Sequence, residues 1–377
     1  MSLSLKEMDR RHSELKKRMK EKGVNILLVF CDTGDFGLHY SNFRYLTNSK
    51  VLFGNAALIF SVDEDPVMLM ISNLQAVWAR QLSWIKDVKI SPSLISDIVY
   101  TLKSLGLKEK RIGVASLASL PLAWYKILCQ EFPSVDLIEM DTVIGEMRYL
   151  KSEEEIELVE RAAKLCDMGF DRVIKSLKPG MTEFEVLAQL EHPMREQGGD
   201  DFCNFIYSGK FGPGIKMIPF APTGRKEPSR KIQVGDSLLF EVTVRYGGYW
   251  AQLVRVLSVG KQNPLLAQLQ QIAQQGIDAA VQYFKPGIKL GDAIQAVKKV
   301  YESAGKELHI AIGHLCGLDL REATIDLESD ILKPGMVLVF HPPIKSGETR
   351  MFVGETYVIT SEGYRCLQQT PNEPYVV

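Results

Sequence analysis

Short apolar runs with the length of strands alternate with helical segments over the first 140 residues of the chain. The opening segment, 4–22, places its apolar positions three and four residues apart, which predicts a helix with one buried face. Helical spacing also occurs at 74–85 and 93–105. The apolar runs that predict strands are 26–31, 57–62, 67–71, 88–90, 112–115 and 135–138. Strands that alternate with helices indicate a layered α/β domain.

The pattern changes near residue 148, where a long amphipathic helix begins. Ser152 followed by Glu155 is a capping-box sequence, and the acids at 153–155 occupy the first turn, where the helix dipole favours negative charge. Apolar residues at helical spacing continue to about residue 176. The sequence therefore predicts an N-terminal α/β domain at 1–147 and a second domain at 148–377.

The second domain contains a weak internal repeat. A Lys-Pro-Gly turn at 178–180 follows one long amphipathic helix, and a second Lys-Pro-Gly turn at 285–287 follows another. Each turn leads into a second helix and then into segments that resemble strands, whereas a third Lys-Pro-Gly, at 333–335, leads directly into a strand. The repeat predicts a duplicated α+β domain. Coincidence is the alternative, because Lys-Pro-Gly commonly ends helices.

Composition and charge narrow the functional classes. Lys and Arg total 45 against 46 Asp and Glu, a net charge of −1, so the chain lacks the positive field that nucleic-acid and anionic-membrane partners require. No apolar run approaches the ~20 residues that span a bilayer. The charged first segment has no signal-peptide core, and the six cysteines form no Cys-x-x-Cys pair. We expect a cytoplasmic protein with no nucleic-acid or membrane partner.

Four ordered segments in the second domain carry the chemistry. They are two strands joined by a Gly-Gly turn (234–260), a Gly-His motif (313–322), a Lys-Pro-Gly turn with a strand and His-Pro-Pro (332–344), and a last strand that starts with Gly-Glu (354–364). Their order and spacing resemble the pita-bread superfamily of creatinase, aminopeptidase P, prolidase and methionine aminopeptidase. The first half resembles the N-terminal domain of the creatinase and prolidase branch. The resemblance implies an α/β domain followed by a pita-bread domain, and a homodimer.

Metal-dependent members of that superfamily hold two divalent ions with two Asp, one His and two Glu. The resemblance implies that the Asp positions fall at Glu241 and Gln252, the His at His314, and the Glu positions at His341 and Glu355. Only His314 and Glu355 keep the residue type of the family. A neutral amide cannot bridge two cations as a carboxylate does, and two carboxylates remain where the family has four. We therefore do not expect a two-metal site.

Two interpretations of the altered ligand set remain open. In the first, His314, His341 and Glu355 bind one divalent transition ion, with Gln252 or Glu241 nearby. In the second, the cleft holds no metal, and either works with side chains alone or has been retired from catalysis. Creatinase supports the second interpretation, because it resembles the peptidases and hydrolyses its guanidino substrate without metal. The expected cofactor is therefore none, or one divalent ion.

An Arg-Glu pair, Arg321 and Glu322, follows the Gly-His motif, where creatinase also has Arg-Glu and the peptidases tend to have His. An arginine fork at this place predicts a bidentate clamp on a substrate carboxylate. The alternative is a surface arginine that pairs with Glu322 or Asp319. Creatinase takes its histidine base from the loop that corresponds to 208–226, and that loop has no histidine here. The base would then be one of His314, His341 and Glu241.

Three functions from different classes remain open, and a small molecule or short peptide is the expected partner in each. The first is creatinase-like hydrolysis of a small C–N bonded substrate that carries a carboxylate, without metal or with one ion. The residues predicted for it are catalytic His314, His341, Glu355 and Glu241 and substrate-binding Arg321 and Gln252. The second is an Xaa-Pro aminopeptidase or dipeptidase with an atypical metal site. The third is a non-catalytic binding protein on a retired peptidase scaffold.

Overall fold

The structure of the chain, a computed structural model, divides into two compact units, Met1–Tyr149 and Leu150–Val377. It describes residues 3–32, 41–106, 111–212, 218–219, 230–322 and 330–377. The boundary predicted after residue 147 falls inside the last helix of the first unit, Asp141–Tyr149. Within the described ranges, each helix is too short or too polar to cross a bilayer.

The first unit is built on one six-stranded sheet. Its helices are α1 (Leu5–Glu21), α2 (Ser41–Thr47), α3 (Asn73–Leu82), α4 (Leu94–Ser104), α5 (Leu122–Glu131) and α6 (Asp141–Tyr149). Its strands are β1 (Ile26–Asp32), β2 (Asn55–Ser61), β3 (Val67–Met70), β4 (Asp87–Ile90), β5 (Arg111–Ala115) and β6 (Asp136–Glu139). The strand order is β4-β3-β2-β1-β5-β6. The α/β architecture predicted from the alternating pattern is confirmed.

The centre of this sheet explains why its apolar runs are continuous. Strand β1 lies between β2 and β5 and is buried along nearly all of its length. Ile98 and Leu102 of α4 share one apolar core with Leu28 of β1 and Ile59 of β2. A strand that is covered on both faces is expected to be apolar at consecutive positions rather than at alternate ones.

The second unit contains four helices and thirteen strands in its described residues. The helices are α7 (Glu153–Ser176), α8 (Glu183–Glu196), α9 (Pro264–Ala280) and α10 (Leu290–Ser303). The first strands are β7 (Asp201–Phe202), β8 (Phe205–Gly209), β9 (Ile218–Pro219), β10 (Ser237–Tyr246), β11 (Tyr249–Ser258), β12 (Glu307–Leu308) and β13 (Gly313–Leu315). The others are β14 (Val337–Phe340), β15 (Ile344–Ser346), β16 (Thr349–Met351), β17 (Glu355–Ile359), β18 (Tyr364–Cys366) and β19 (Tyr375–Val376).

The internal repeat is real, because both Lys-Pro-Gly turns are held in the same way. Gly180 donates its N–H to the carbonyl of Ile232 at 2.8 Å, and Gly287 donates its N–H to the carbonyl of Leu332 at 2.9 Å. In each copy, the accepting residue, Ile232 or Leu332, donates its own N–H to the carbonyl of the residue after the glycine. Both glycines adopt a positive φ, 96° and 84°, which favours glycine. Each copy contains two helices followed by an antiparallel sheet, as the sequence predicts.

The two main sheets of this unit meet at Val254 of β11 and Gly354, which directly precedes β17. The two residues exchange backbone hydrogen bonds of 2.8 and 3.2 Å. A Cβ atom on Gly354 would lie 2.1 Å from the carbonyl oxygen of Phe340 and 2.6 Å from the Cα of His341. Such distances exclude any side chain at 354 unless the backbone moves. Glycine at this position therefore lets the strands that carry the candidate residues approach one another closely.

Candidate functional site

Four of the predicted site residues come together where the two sheets meet. The Gln252 side-chain amide donates from Nε2 to Oε2 of Glu241 at 3.2 Å, and its Oε1 lies 3.2 Å from Nε2 of His314. The ring of His314 stands edge-on to the ring of His341, with 5.6 Å between the ring centroids. We call Glu241, Gln252, His314 and His341 the histidine face.

Strand register explains why these four side chains converge. On β10 and β11, Thr243 is directly opposite Gln252, and Glu241 lies two residues from Thr243 on the same side of the sheet. On β13 and β14, His314 is directly opposite Val339, and His341 follows Val339 by two residues. Because side chains alternate along a strand, each pair of strands directs one pair of polar residues to a shared face.

The structure does not bring Glu355 to the histidine face, although the sequence analysis placed it in the same site. Glu355 is directly opposite Phe340 in the β14–β17 ladder, so its side chain shares the face of Phe340 and not that of the next residue, His341. Its Oε1 accepts a bond from Nη2 of Arg255 at 2.7 Å, and its Oε2 accepts one from the Tyr357 hydroxyl at 2.5 Å. We call Arg255, Glu355 and Tyr357 the arginine face.

The arginine face is buried and its hydrogen bonds are complete. Arg255 is 1% exposed and lies three residues after Gln252, which directs it to the other side of β11. Besides Glu355, its guanidinium donates to the carbonyl of Pro371 at 3.0 Å and to that of Thr370 at 2.6 Å. The guanidinium therefore neutralises Glu355 and also fixes the C-terminal segment.

The histidine face, in contrast, is buried with polar atoms that have no partner. Burial lowers the pKa of His341 to about 4, and burial together with the nearby His341 lowers the pKa of His314 to about 3. Both rings are therefore neutral at pH 7. Nδ1 of His341 and Oγ1 of Thr243 have no hydrogen-bond partner among the described residues. Buried polar atoms are normally bonded, so these two atoms indicate a place for water or a ligand.

Glu241 is the acid of this face. Burial raises its pKa, while a hydrogen bond from the Tyr207 hydroxyl at 3.1 Å and the charge of Arg321 act in the opposite direction. Tyr207 lies on β8 next to β10, and the sequence analysis did not identify it. A single tyrosine in a strand is explained equally well by core packing, so the sequence contained no signal for its contact with Glu241.

Arg321 lies at the solvent side of the histidine face. Its side chain is exposed, and its positive charge lowers the pKa values of Glu241, His314 and His341. The alternative pairing with Glu322 does not occur, because the Glu322 carboxylate accepts bonds from the buried Lys151 ammonium and from the N–H of Leu318. Arg321 therefore presents a cation to the histidine face and to solvent at the same time.

The donor set does not fit a pair of divalent ions. The Gln252 amide is bonded to Glu241 and faces His314, so it occupies the space between two would-be ligands. Glu355 is neutralised by Arg255 on the other face. Across the described ranges, no three His, Cys, Asp or Glu side chains form a group that could hold a metal ion. The loop at 208–226 lies partly outside the described residues, at 213–217 and 220–226.

Comparisons with known proteins cover nearly the whole chain. Residues 157–361 match metallopeptidase family M24, and residues 11–150 match the creatinase/prolidase N-terminal domain. The uncharacterized peptidase YqhT of Bacillus subtilis is 26% identical over 368 residues, 96% of this chain and 98% of that protein. An Xaa-Pro dipeptidase of Pyrococcus furiosus is 26% identical over 343 residues, which are 88% of this chain and 92% of that protein. The structure of an X-Pro aminopeptidase from Thermotoga maritima has a TM-score of 0.83 at 20% sequence identity. The match covers 97% of this chain and 99% of that structure.

Proposed function

The chain belongs to metallopeptidase family M24, and from the histidine face we propose that it is a creatinase-like hydrolase that needs no pair of metal ions. Its substrates are small molecules with a carboxylate and a C–N bond that water cleaves. The observation that carries the proposal is the Gln252 amide between Glu241 and His314. An amide that already bonds to one acid and faces one imidazole leaves a polar pocket of low charge rather than a cage for cations.

His341 is the general base of the proposed reaction. Its ring is neutral at pH 7, and its Nδ1 is buried without a partner among the described residues. In the reaction, Nδ1 takes a proton from water while the water oxygen bonds to the substrate carbon. The same proton then passes to the nitrogen as the C–N bond breaks. A positioned base of this kind contributes ~10²–10⁴-fold to a rate.

Arg321 binds the substrate carboxylate, and Glu241 and Gln252 contact the polar groups near the reacting bond. The arginine is exposed, yet its charge acts on all three titratable groups of the histidine face. A guanidinium fork at the entrance of a pocket suits bidentate binding of a carboxylate. Glu355 has no part in the reaction, because its carboxylate is bonded to Arg255 and Tyr357 on the other face.

An Xaa-Pro peptidase with an atypical metal site is the second candidate, favoured by similarity to an Xaa-Pro dipeptidase over most of both chains. One panel of substrates separates the candidates. Small N-acyl amino acids and guanidino acids are tested with and without EDTA, and Xaa-Pro dipeptides are tested with and without manganese. The proposal predicts turnover in the first set that EDTA leaves unchanged and that His341→Gln abolishes. Manganese-dependent cleavage of Xaa-Pro would favour the peptidase, and tight binding without turnover would favour a retired scaffold.

A further inference from the structure

A continuous chain of hydrogen bonds runs through the histidine face and begins at Tyr207. The Tyr207 hydroxyl donates to Oε1 of Glu241 at 3.1 Å. Nε2 of Gln252 donates to the second oxygen, Oε2, at 3.2 Å, and Oε1 of Gln252 lies 3.2 Å from Nε2 of His314. The proposed function gives no role to Tyr207.

The chain has a fixed direction when Glu241 is ionised. A carboxylate only accepts hydrogen bonds, so Gln252 must turn its NH₂ group toward Glu241. An amide that presents NH₂ on one side presents its oxygen on the other, and an amide oxygen also only accepts. His314 must therefore carry its hydrogen on Nε2, which faces that oxygen. The ionised Glu241 carboxylate thus determines which nitrogen of His314 carries the hydrogen, and the Gln252 side chain transmits this effect.

A second contact of the His314 ring competes with Gln252 for the position of its proton. Nδ1 of His314 lies 3.3 Å from the carbonyl oxygen of Leu315, which would favour the hydrogen on Nδ1 instead. The contacts with Gln252 and Leu315 have nearly equal lengths, 3.2 and 3.3 Å, and the backbone of Leu320 also contacts the ring. The position of the proton therefore depends on how firmly Gln252 is held. Gln252 is in turn held by the orientation of the Glu241 carboxylate. Among the described residues, Glu241 has no ion-pair partner, and its side-chain hydrogen bonds come from Tyr207 and Gln252.

We infer that Tyr207 is a positioning residue that fixes the tautomer of His314. Its hydroxyl holds one oxygen of Glu241, so that the other oxygen holds the Gln252 amide and the amide oxygen receives the Nε2 hydrogen of His314. With Nε2 of His314 held as the donor, its ring stays edge-on to the ring of His341, the proposed base, with 5.6 Å between the ring centroids. The inference deepens the proposed function, but the tautomer itself is defined without any substrate.

The tautomer is measured directly by long-range ¹⁵N–¹H correlation spectra of the full chain labelled at histidine nitrogens. The chain has six histidines, and the His314 signals are assigned as those lost in His314→Gln. In the wild type we expect a protonated Nε2 and an unprotonated Nδ1. In Tyr207→Phe, which removes only the hydroxyl, we expect both signals to shift toward each other as the proton redistributes. Tyr246→Phe, at the far end of β10, is the matched control and should leave the spectrum unchanged.

Three outcomes overturn the inference. They are a wild-type His314 with its proton on Nδ1, a Tyr207→Phe spectrum identical to that of the wild type, and an equal shift in Tyr246→Phe. If Tyr207→Phe does not fold, Glu241→Gln supplies the test, because an amide at 241 can donate as well as accept and should also redistribute the proton. An unchanged tautomer in that variant contradicts the chain. Absence of turnover in the substrate panel would reject the proposed function while leaving this result intact.

Discussion

The histidine face and the arginine face meet at strand β11, which carries Gln252 on one side and Arg255 on the other, yet the two faces satisfy their buried polar groups in opposite ways. On the arginine face, one guanidinium neutralises Glu355 and also bonds to backbone carbonyls of the C-terminal segment. On the histidine face, one amide lies between an acid and a neutral imidazole, and Nδ1 of a second neutral imidazole, His341, has no partner in the described part of the chain.

This difference indicates that the arginine face stabilises the fold and that the histidine face binds a ligand. A buried ion pair with complete hydrogen bonds leaves nothing for a ligand to satisfy, so its loss should mainly lower the free energy of unfolding. An unpaired buried nitrogen lowers stability and gains from a bound ligand, which is the usual condition of an active site. Variants on the two faces should therefore have opposite effects on stability and on activity.

The largest effect is expected from Arg255→Met on the arginine face. The substitution removes the cation and leaves the buried Glu355 carboxylate without its charge partner. Breaking a buried pair from one side costs about 3–5 kcal/mol of unfolding free energy. Urea denaturation measures this loss, with Arg350→Met at an exposed position as the control. A loss no greater than that of the control would show that the arginine face is not structural.

The next largest effect is a dependence of stability on pH that His341 causes. In the unfolded chain, His341 binds a proton below about pH 6.5. In the folded protein, burial lowers the pKa of His341 to about 4, so the ring stays neutral until the pH falls to that value. The unfolded state therefore holds more protons in this window, and folding weakens as the pH falls from 6.5 to 4. Relative to His341→Gln, the wild type should lose about 3 kcal/mol over that range.

Denaturation at a series of pH values tests this, and exposed His192→Gln controls for the loss of a histidine at the surface. The free energy of unfolding of the wild type minus that of His341→Gln should decrease as the pH falls from about 6.5 toward 4. A difference that is constant over the window would mean that His341 is solvated, and the contrast between the faces would then disappear.

A smaller effect is expected on turnover when substitutions of His341 and Glu355 are compared. His341→Gln should lower kcat on an identified substrate by ~10²-fold or more, since it removes the proposed base. Glu355→Gln should lower the free energy of unfolding and change kcat by less than about tenfold. Parallel kinetics and denaturation of both variants give the comparison. A larger kcat loss in Glu355→Gln would place the chemistry on the arginine face.

The smallest effect should come from Arg321→Met, because this side chain is exposed and its interactions are screened by water. KM for a carboxylate substrate should rise about tenfold, equivalent to about 1.4 kcal/mol, while kcat and stability stay nearly constant. Arg350→Met again serves as the control. An unchanged KM would remove the carboxylate clamp from the proposal.

The fold could be predicted from local patterns, but the site could be predicted only in part. Strand-length apolar runs and the Lys-Pro-Gly turns determine the two architectures, and motif spacing identified Glu241, Gln252, His314 and His341. The same spacing also predicts Glu355 in this site, because a motif does not reveal which face of a strand a residue occupies. That depends on register, and here Phe340 opposite Glu355 decides it. A shift of one position reverses the face.

The central claim, a site without two metal ions, is tested most directly by elemental analysis of the purified protein after it is loaded with manganese and dialysed. The account predicts less than one equivalent of metal per chain, and a higher content in Gln252→Asp/His341→Glu, which restores two carboxylates to the histidine face. Glu355→Gln in that double variant should not lower the content, because Glu355 belongs to the arginine face. Two equivalents of metal bound to the wild-type chain would contradict the account.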